Sequence, residues 1–412
     1  MLTSIQAIYN DFPQRFWTVA AVSFIDKVGG TMLFPFFALY ITQQFNVGMT
    51  QAGIVLGIFA ISSMLGGMIG GALTDRWGRR RLIIAGLIFS AVSTLALGLV
   101  RELALLYPLA FVIGLLSDLA GPAHQAMVAD ILPEEKRQEG FGVLRVVGNL
   151  AWIVGPSITG FIVGHSFLAL FIIDAIISCI VAALFFFFIP ETKPAAQAGE
   201  TPESLLATFR GYGRALGDMA FMAYILGLSL LGVVYIQMYN SLSVFLRDQH
   251  GVSPQGYGFL LTASAITVIF LQFWTSRRIK SLPPFLLMVA GSLFYLLGFG
   301  MYGFVASYAL FVTAIVVVTL GEMIVMPTSA ALAAGFAPEA MRGRYMAIFG
   351  LTFALPAAVG PAAAGIILDN YDPNWLWYFG ALLCGLAALS FYLLHLRLGR
   401  RSQFQAAPEA AH

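Results

Sequence analysis

Charge is what this chain lacks. Of its 412 residues only 10% are Asp, Glu, Lys or Arg, against about 25% in a soluble domain. So little charge leaves too little polar surface to face water, so the solvent must largely be lipid, and no nucleic-acid partner is expected. Cysteine is nearly absent too. Cys179 and Cys384 are the only two and both fall inside apolar runs, which argues against a disulfide framework or a metal site. The opening stretch MLTSIQAIYNDFPQRF has no basic region followed by a short apolar core, so the first helix is expected to stay as an anchor. Strand alternation is missing, since the apolar runs are about 20 residues long and not about 10, which excludes an outer-membrane barrel. No HExxH, phosphate loop, metal cluster or nucleophile–base pair occurs, so neither an enzyme nor a cofactor is expected.

What the chain has in abundance is hydrocarbon: 59% hydrophobic residues and a mean hydropathy of +0.86. Twelve apolar segments are long enough to cross a bilayer core of about 30 Å as helices. They cover residues 16–42, 51–73, 82–100, 103–129, 141–164, 167–189, 218–246, 255–276, 283–304, 306–333, 344–368 and 375–396. With the N-terminus in the cytoplasm, 18 of the 22 cations fall in cytoplasmic segments and two, Arg101 and Arg247, fall outside. That bias predicts both termini cytoplasmic in a multi-pass protein of the cell (inner) membrane.

The one long loop, 190–217, starts PETKPAAQAGETPES and reads as a linker. Its second part, from Thr201-Pro202 onward, carries Leu205, Leu206, Phe209, Tyr212 and Leu216 on one helical face and predicts a short interfacial helix. The expected organisation is a six-helix half over 1–189, this linker, a second half over 218–397 and a cytoplasmic tail over 398–412. The halves match at a constant offset of 205 residues: Gly53 with Gly258, Pro122 with Pro327, Pro133-Glu134 with Pro338-Glu339, Gly155-Pro156 with Gly360-Pro361. Dipeptides matching in one register point to a parallel six-helix repeat, in which substrate binds between the halves near the bilayer midplane.

The densest charge in the first half is Gly71–Leu82, GALTDRWGRRRL, between the second and third segments. GALTDRWGRRR closely resembles the loop between helices 2 and 3 of the major facilitator superfamily, written GxLxDRxGRR/K. Gly155-Pro156 with Gly160 is similar to the GPxxGG motif of its twelve-helix drug/proton antiporter branch, although Ala151 and Thr159 stand where glycines are usual. The resemblance spans essentially the whole chain. It implies an all-α polytopic membrane protein with twelve transmembrane helices in two pseudo-symmetric six-helix bundles, the major facilitator fold. It also implies gating around Gly71, Asp75, Arg76, Gly78, Arg79, Asp130, Gly155 and Pro156, with Asp75 near the N-terminus of helix 11. Asp130 is expected to pair with Arg76 or Arg79. One departure matters: the family's helix-4 arginine, four residues before a glycine, is Ala110 here, before Gly114. Proton coupling must use other residues.

Ionisable groups in mid-helix cost several kcal/mol unless paired or wetted, so each is a functional candidate. Asp26, Asp118, Glu322, Arg145, Asn149 and His124 are the candidates for proton coupling or substrate binding. Glu322 lies in TLGEMIVMP with no cation near it in sequence, and Pro327 is expected to break the backbone one turn later. The competing readings are structural: an ion pair of Asp26 with Arg145 or Lys27, a snorkelling Arg145, a protonated Glu322 bonded across helices, a His124 that caps a kink. Asp174 reads as structural. Phe34, Trp152, Tyr235, Gln237, Tyr239 and Asn240 are expected to line a mixed apolar cavity.

These features favour a monomeric secondary transporter that exports amphipathic or cationic small molecules in exchange for protons. Its partners are the small-molecule substrate, protons and the lipid bilayer. An uptake symporter for a small metabolite and a lipid translocator are the alternatives, with a membrane-embedded enzyme furthest behind.

Overall fold

A computed structural model describes residues 11–133, 136–193, 213–279, 281–338 and 341–399. Within them twelve helices are long and apolar enough to cross a membrane. We number these spans α1 (Gln14–Gln44), α2 (Met49–Gly71), α3 (Arg79–Leu99), α4 (Leu103–Ile131), α5 (Glu139–Val163), α6 (Phe167–Phe188), α7 (Met219–Asn240), α8 (Pro254–Gln272), α9 (Pro284–Tyr302), α10 (Tyr308–Phe336), α11 (Arg344–Asn370) and α12 (Trp375–Leu398). Residues 201–212, where most of the interfacial helix was expected, lie outside the described residues, as does the tail from 400 onward.

The chain forms two compact units. Unit 1 holds Met1–Val47, Val55–Gly199 and Ser253–Thr262; unit 2 holds Gly48–Ile54, Glu200–Val252 and Ala263–His412. The main packed pairs of unit 1 are α3 with α6, α1 with α5, α1 with α6 and α3 with the two parts of α4. Those of unit 2 are α9 with α10, α9 with α12, α7 with α12 and α7 with α11. Adding six to each number in the first set gives the second, so the repeat read from dipeptides is a repeat of packing.

Phe16, Val19, Val22, Leu82, Ile83, Met127, Val128, Val181 and Phe185 form the heart of unit 1. Large apolar side chains also stand outside, Phe187 at 75% and Phe270 at 77% exposure. That is the inverse of a soluble surface and fits a lipid solvent. Both cysteines are free.

Lipid-embedded helices gain little from hydrophobic burial against each other, so close backbone approach and interhelical hydrogen bonds must hold them. The α2–α4 seam shows how. A Cβ at Gly66 would run into the Leu115 carbonyl, one at Gly70 into the Leu119 carbonyl, and one at Gly114 into Ser62 and the Phe59 carbonyl. The α1–α5 seam adds hydroxyls: Thr31 Oγ1 donates to the Ala151 carbonyl at 3.0 Å, and Thr159 Oγ1 to the Met32 carbonyl at 3.1 Å. Thr159 is therefore not merely a lost glycine. It bonds the backbone of α1 beside the 3-10 turn Phe34–Phe36, where Pro35 interrupts that helix.

The seventh segment, expected as one helix over 218–246, is three pieces: Met219–Tyr235, Gln237–Asn240 and Leu242–His250. No proline causes this. The interruptions fall at Ile236 and Ser241, which keep right-handed backbone angles, while Ser241 Oγ donates to Gln237 Oε1 at 2.7 Å. Local side-chain hydrogen bonds of this kind compete with the backbone ladder. The fourth segment breaks after Ser117 and restarts at Gly121.

Candidate functional site

Glu322 stands mid-way along α10 in unit 2. Tyr235 on α7 donates its hydroxyl to Glu322 Oε1 at 2.9 Å. The Tyr239 hydroxyl lies 3.0 Å from that of Tyr235. The two tyrosines meet because four residues bring them to one side of a helix, and the interruption at Ile236 stays right-handed. On the other side the Tyr295 ring of α9 stacks on Tyr235, centroids 6.0 Å apart and planes at 15°. Glu322, Tyr235 and Tyr239 are half-buried, whereas Tyr295 is fully buried. Sequence distance hid this partner, which lies 87 residues away on another helix.

A phenol is a suitable partner for a carboxyl group that changes protonation state. Its O–H donates to a carboxylate, and its oxygen can accept from a carboxylic acid. Neither form is left unsatisfied, so neither is prohibitive in a water-poor site.

α10 does not break at Pro327; it is one helix from Tyr308 to Phe336. Gln237 and Asn240 are also not where the sequence suggested. They are 4% and 3% exposed. The Gln237 amide donates to the Val233 carbonyl at 2.8 Å and packs against Gly360 of α11. The Gln237 amide belongs to helix packing, whereas Asn240 Oδ1 is buried with no hydrogen-bond partner among the described residues.

In unit 1 the structure joins some candidates and separates others. Ser23 Oγ of α1 lies 2.7 Å from His124 Nε2 of α4, and the His124 ring meets Phe185 of α6 edge-on at 6.4 Å. His124 ties three helices together rather than capping a kink. Asp26 and Lys27 are exposed on α1 and Arg145 is exposed on α5. Among the described residues neither Asp26 nor Arg145 has an ion-pair partner within 4.0 Å, and Lys27 acts on Asp26 only as a neighbouring charge. The Lys27 side chain runs past Gly148, where a Cβ would stand 3.9 Å from Nζ. Asn149 and Trp152 are half-buried, and Phe34 is exposed beside the 3-10 turn.

Asp118 sits at the break in α4. Pro122 has no N–H to give the Asp118 carbonyl, which instead accepts from Gly121 N–H at 3.2 Å. The Asp118 carboxylate lies over two glycines: a Cβ at Gly67 of α2 would be 2.8 Å from Oδ2, and one at Gly121 2.6 Å from Oδ1. Asp174 of α6 is buried and accepts from Thr94 Oγ1 of α3 at 2.9 Å.

The charged loop before α3 is organised by a residue that the sequence reading passed over. Glu191, just beyond α6, accepts from Arg79 N–H at 2.9 Å and from Arg80 N–H at 3.2 Å, the first residues of α3. Thr192 and Lys193 N–H also reach its Oε1, at 3.1 Å each. Burial works against the charge, but these four N–H groups outweigh it and hold the Glu191 carboxyl below its ordinary range. Gly78 is required twice over: its φ is +93°, and a Cβ there would collide with the Glu191 carboxylate. Arg79 Nε pairs with Asp130 Oδ2 of α4 at 3.0 Å, Thr192 Oγ1 joins the same oxygen at 3.2 Å, and Lys193 Nζ donates to the Arg76 carbonyl at 3.1 Å. So residues 191–193, expected to open the linker, are built into the 2–3 loop. A Cβ at Gly71 would meet nothing. The side chain of Asp75 lies outside the described residues. Gly155 and Pro156 stand in packing seams of unit 1: a Cβ at Gly155 would hit Thr31, and one at Gly258 the Pro156 carbonyl.

Twelve spans in a six-helix packing repeat, with carboxyl groups inside the spans, define a multi-pass membrane transporter. The sequence pattern of the Major Facilitator Superfamily matches residues 19–253 and 237–411, and the chain belongs to that family of transporters. A Na(+), Li(+), K(+)/H(+) antiporter of Planococcus maritimus is 27% identical over 357 residues, 80% of this chain and 84% of that protein. The multidrug resistance protein MdtH of Salmonella typhimurium is 24% identical over 384 residues, covering 91% and 93%. Among solved structures, the nucleoside transporter NupG superposes with a TM-score of 0.76 at 12% identity, covering 93% of this chain and 99% of that one.

Proposed function

We propose that this protein is a proton-coupled antiporter that exports amphipathic or cationic small molecules by alternating access, with Glu322 as the group that exchanges the proton. It would sit in the cell membrane with both termini in the cytoplasm, since 18 of 22 cations then lie on the cytoplasmic side. The observation that carries the reading is the Tyr235–Glu322 pair. Glu322 is the one Asp or Glu placed away from the ends of the second-half spans, and its partner suits both protonation states. If a proton and a cation compete for one carboxylate, each leaves as the other binds, and alternating access then turns that competition into exchange across the membrane. Asp26 and Asp118, exposed in unit 1, are the candidates for a second cation contact. The relative named as a Na(+), Li(+), K(+)/H(+) antiporter supports cation-for-proton exchange as the chemistry, and the one named as a multidrug resistance protein supports a small-molecule substrate.

The test is a proteoliposome assay with an imposed pH gradient and a panel of ethidium, Na+, K+ and small metabolites. Antiport predicts proton release on addition of ethidium, and its loss in Glu322→Gln. Exchange of Na+ or K+ alone would keep the mechanism and replace the substrate class. Inward accumulation of a metabolite with protons would overturn export, and exchange that survives Glu322→Gln would remove that residue from the reaction.

A further inference from the structure

We propose that Gln272 is a positioning residue for Glu322: its side-chain amide keeps α10 helical across Pro327 and so holds Glu322 against Tyr235. The inference rests on the reading that Glu322 exchanges the proton.

A proline inside a helix strips the carbonyl four residues earlier of its partner. In a bilayer that carbonyl must find another donor or the helix must change. The repeat provides the same problem twice, because Pro122 of α4 and Pro327 of α10 are counterparts at the offset of 205. The two halves solve it differently. In α4 the orphan carbonyl is that of Asp118, which takes a tighter bond from Gly121 N–H, and the helix stops at Ser117. In α10 the orphan is the Met323 carbonyl. It accepts from Gln272 Nε2 at 3.2 Å, and the helix runs on. A second contact, Gln272 Nε2 with Ser276 Oγ at 2.9 Å, fixes where the amide points.

The register gives the reason for the difference. Subtracting 205 from 272 gives 67, and residue 67 is glycine. Gly67 has nothing to donate, and the space above it is filled by the Asp118 carboxylate. One repeat has a brace at this position and breaks no helix; the other lacks it and breaks. Glu322 is the counterpart of Ser117, the last residue before the break in α4. Without the amide, the same break would fall at 323–325. Glu322 would then be the last helical residue, held from one side only, and would lose its fixed place against Tyr235 and Tyr239 of α7 and Tyr295 of α9, the titratable groups that surround it.

The test is a double-mutant cycle on the full-length protein in proteoliposomes. Ethidium is the transported probe, and the Glu322 carboxyl band is followed by infrared difference spectroscopy against Glu322→Gln. Gln272→Leu removes the donor. Pro327→Ala gives the Met323 carbonyl a backbone N–H of its own, so the donor is no longer needed. Expected are a fall in proton-driven exchange of about fivefold or more in Gln272→Leu and a displacement of the Glu322 titration midpoint by about half a pH unit or more. Both should return to within about twofold of the Pro327→Ala single variant when Gln272→Leu is placed in that background. An unchanged Glu322 titration in Gln272→Leu overturns the inference, and so does an equal loss with and without Pro327. A wild type whose Glu322 band does not titrate between about pH 5 and 9 overturns the proton-exchange reading itself, a result distinct from either.

Discussion

Glu191 accepts the backbone N–H of Arg79 at 2.9 Å, so the first turn of α3 is capped by an acid 112 residues away. A carboxylate at a helix N-terminus satisfies orphan donors and complements the dipole. Its folded-state value is lowered from 4.5, so its contribution is complete above that pH and is lost as the pH falls through the depressed value. Glu191→Gln is therefore expected to lower the melting temperature of the detergent-solubilised protein at pH 7, with the gap from wild type closing below pH 4.5. A gap that persists unchanged to pH 3 would mean the effect is packing and not charge.

A second borrowed cap lies in unit 2. Asp369, at the end of α11, accepts from Met49 N–H at 2.8 Å and Thr50 N–H at 2.7 Å, the first residues of α2. Gly48 leaves room for it, since any Cβ there would overlap the carboxylate. The repeat counterpart of Gly48 is Ser253, whose own Oγ accepts from Gly256 N–H at 3.2 Å at the start of α8. One helix caps itself and the other depends on α11. Asp369→Ala should cost about 1 kcal/mol in stability. Gly48→Ser alone should also destabilise, but in the Asp369→Ala background it should restore part of the loss. The three atoms nearest to its Cβ all belong to Asp369, and the serine hydroxyl can then cap α2 as Ser253 caps α8. Thermal unfolding of the two single variants and the double variant measures this, and a double variant no better than Asp369→Ala would show that the start of α2 cannot cap itself.

The spans were legible because a bilayer dictates their length and hydropathy, and the halves because Gly-Pro and Pro-Glu recur in register. The site was legible only in its ionisable members. Glu322 announces itself as a charge in hydrocarbon, but Tyr235 is one of 15 tyrosines, and nothing local marks it as the partner. Glu191 was missed for a related reason. Its partners are backbone N–H groups, which every residue has, so no complementary side chain points to it. Gln237 misled because an amide among tyrosines reads the same whether it faces a cavity or bonds its own helix. Pro327 misled because the residue that compensates for it, Gln272, lies on another helix.

The α2–α4 seam gives a prediction about packing. Gly114 meets Ser62 and the Phe59 backbone so closely that a Cβ cannot be placed without moving α2. Gly114→Leu should cost about 1–3 kcal/mol, the usual range for overpacking, and reduce the yield of folded protein. Gly71→Ala, at the end of α2 with no neighbour within contact distance, should leave the yield unchanged. Size-exclusion profiles of fluorescent fusions would distinguish them, and equal losses in both would show that these glycines are needed for something other than close packing.

His250, at the end of the short helix Leu242–His250 beyond α7, gives the pH prediction for unit 2. Its ring packs on Phe311 at 4.8 Å and Phe245 at 5.2 Å, and Nε2 is buried without a hydrogen-bond partner among the described residues. Burial disfavours the charged ring and pushes His250 below its ordinary value of 6.5. The unfolded chain takes up the proton first, so the stability that His250 contributes is full above pH 6.5 and is lost as the pH falls toward the depressed folded value. His250→Phe keeps an aromatic ring against Phe311 and cannot be protonated. Between pH 7 and pH 5 the melting temperature of the wild type should fall more than that of His250→Phe, and the two curves should run parallel above pH 7. Parallel curves throughout would show that the ring is hydrated and titrates as it does in the unfolded chain.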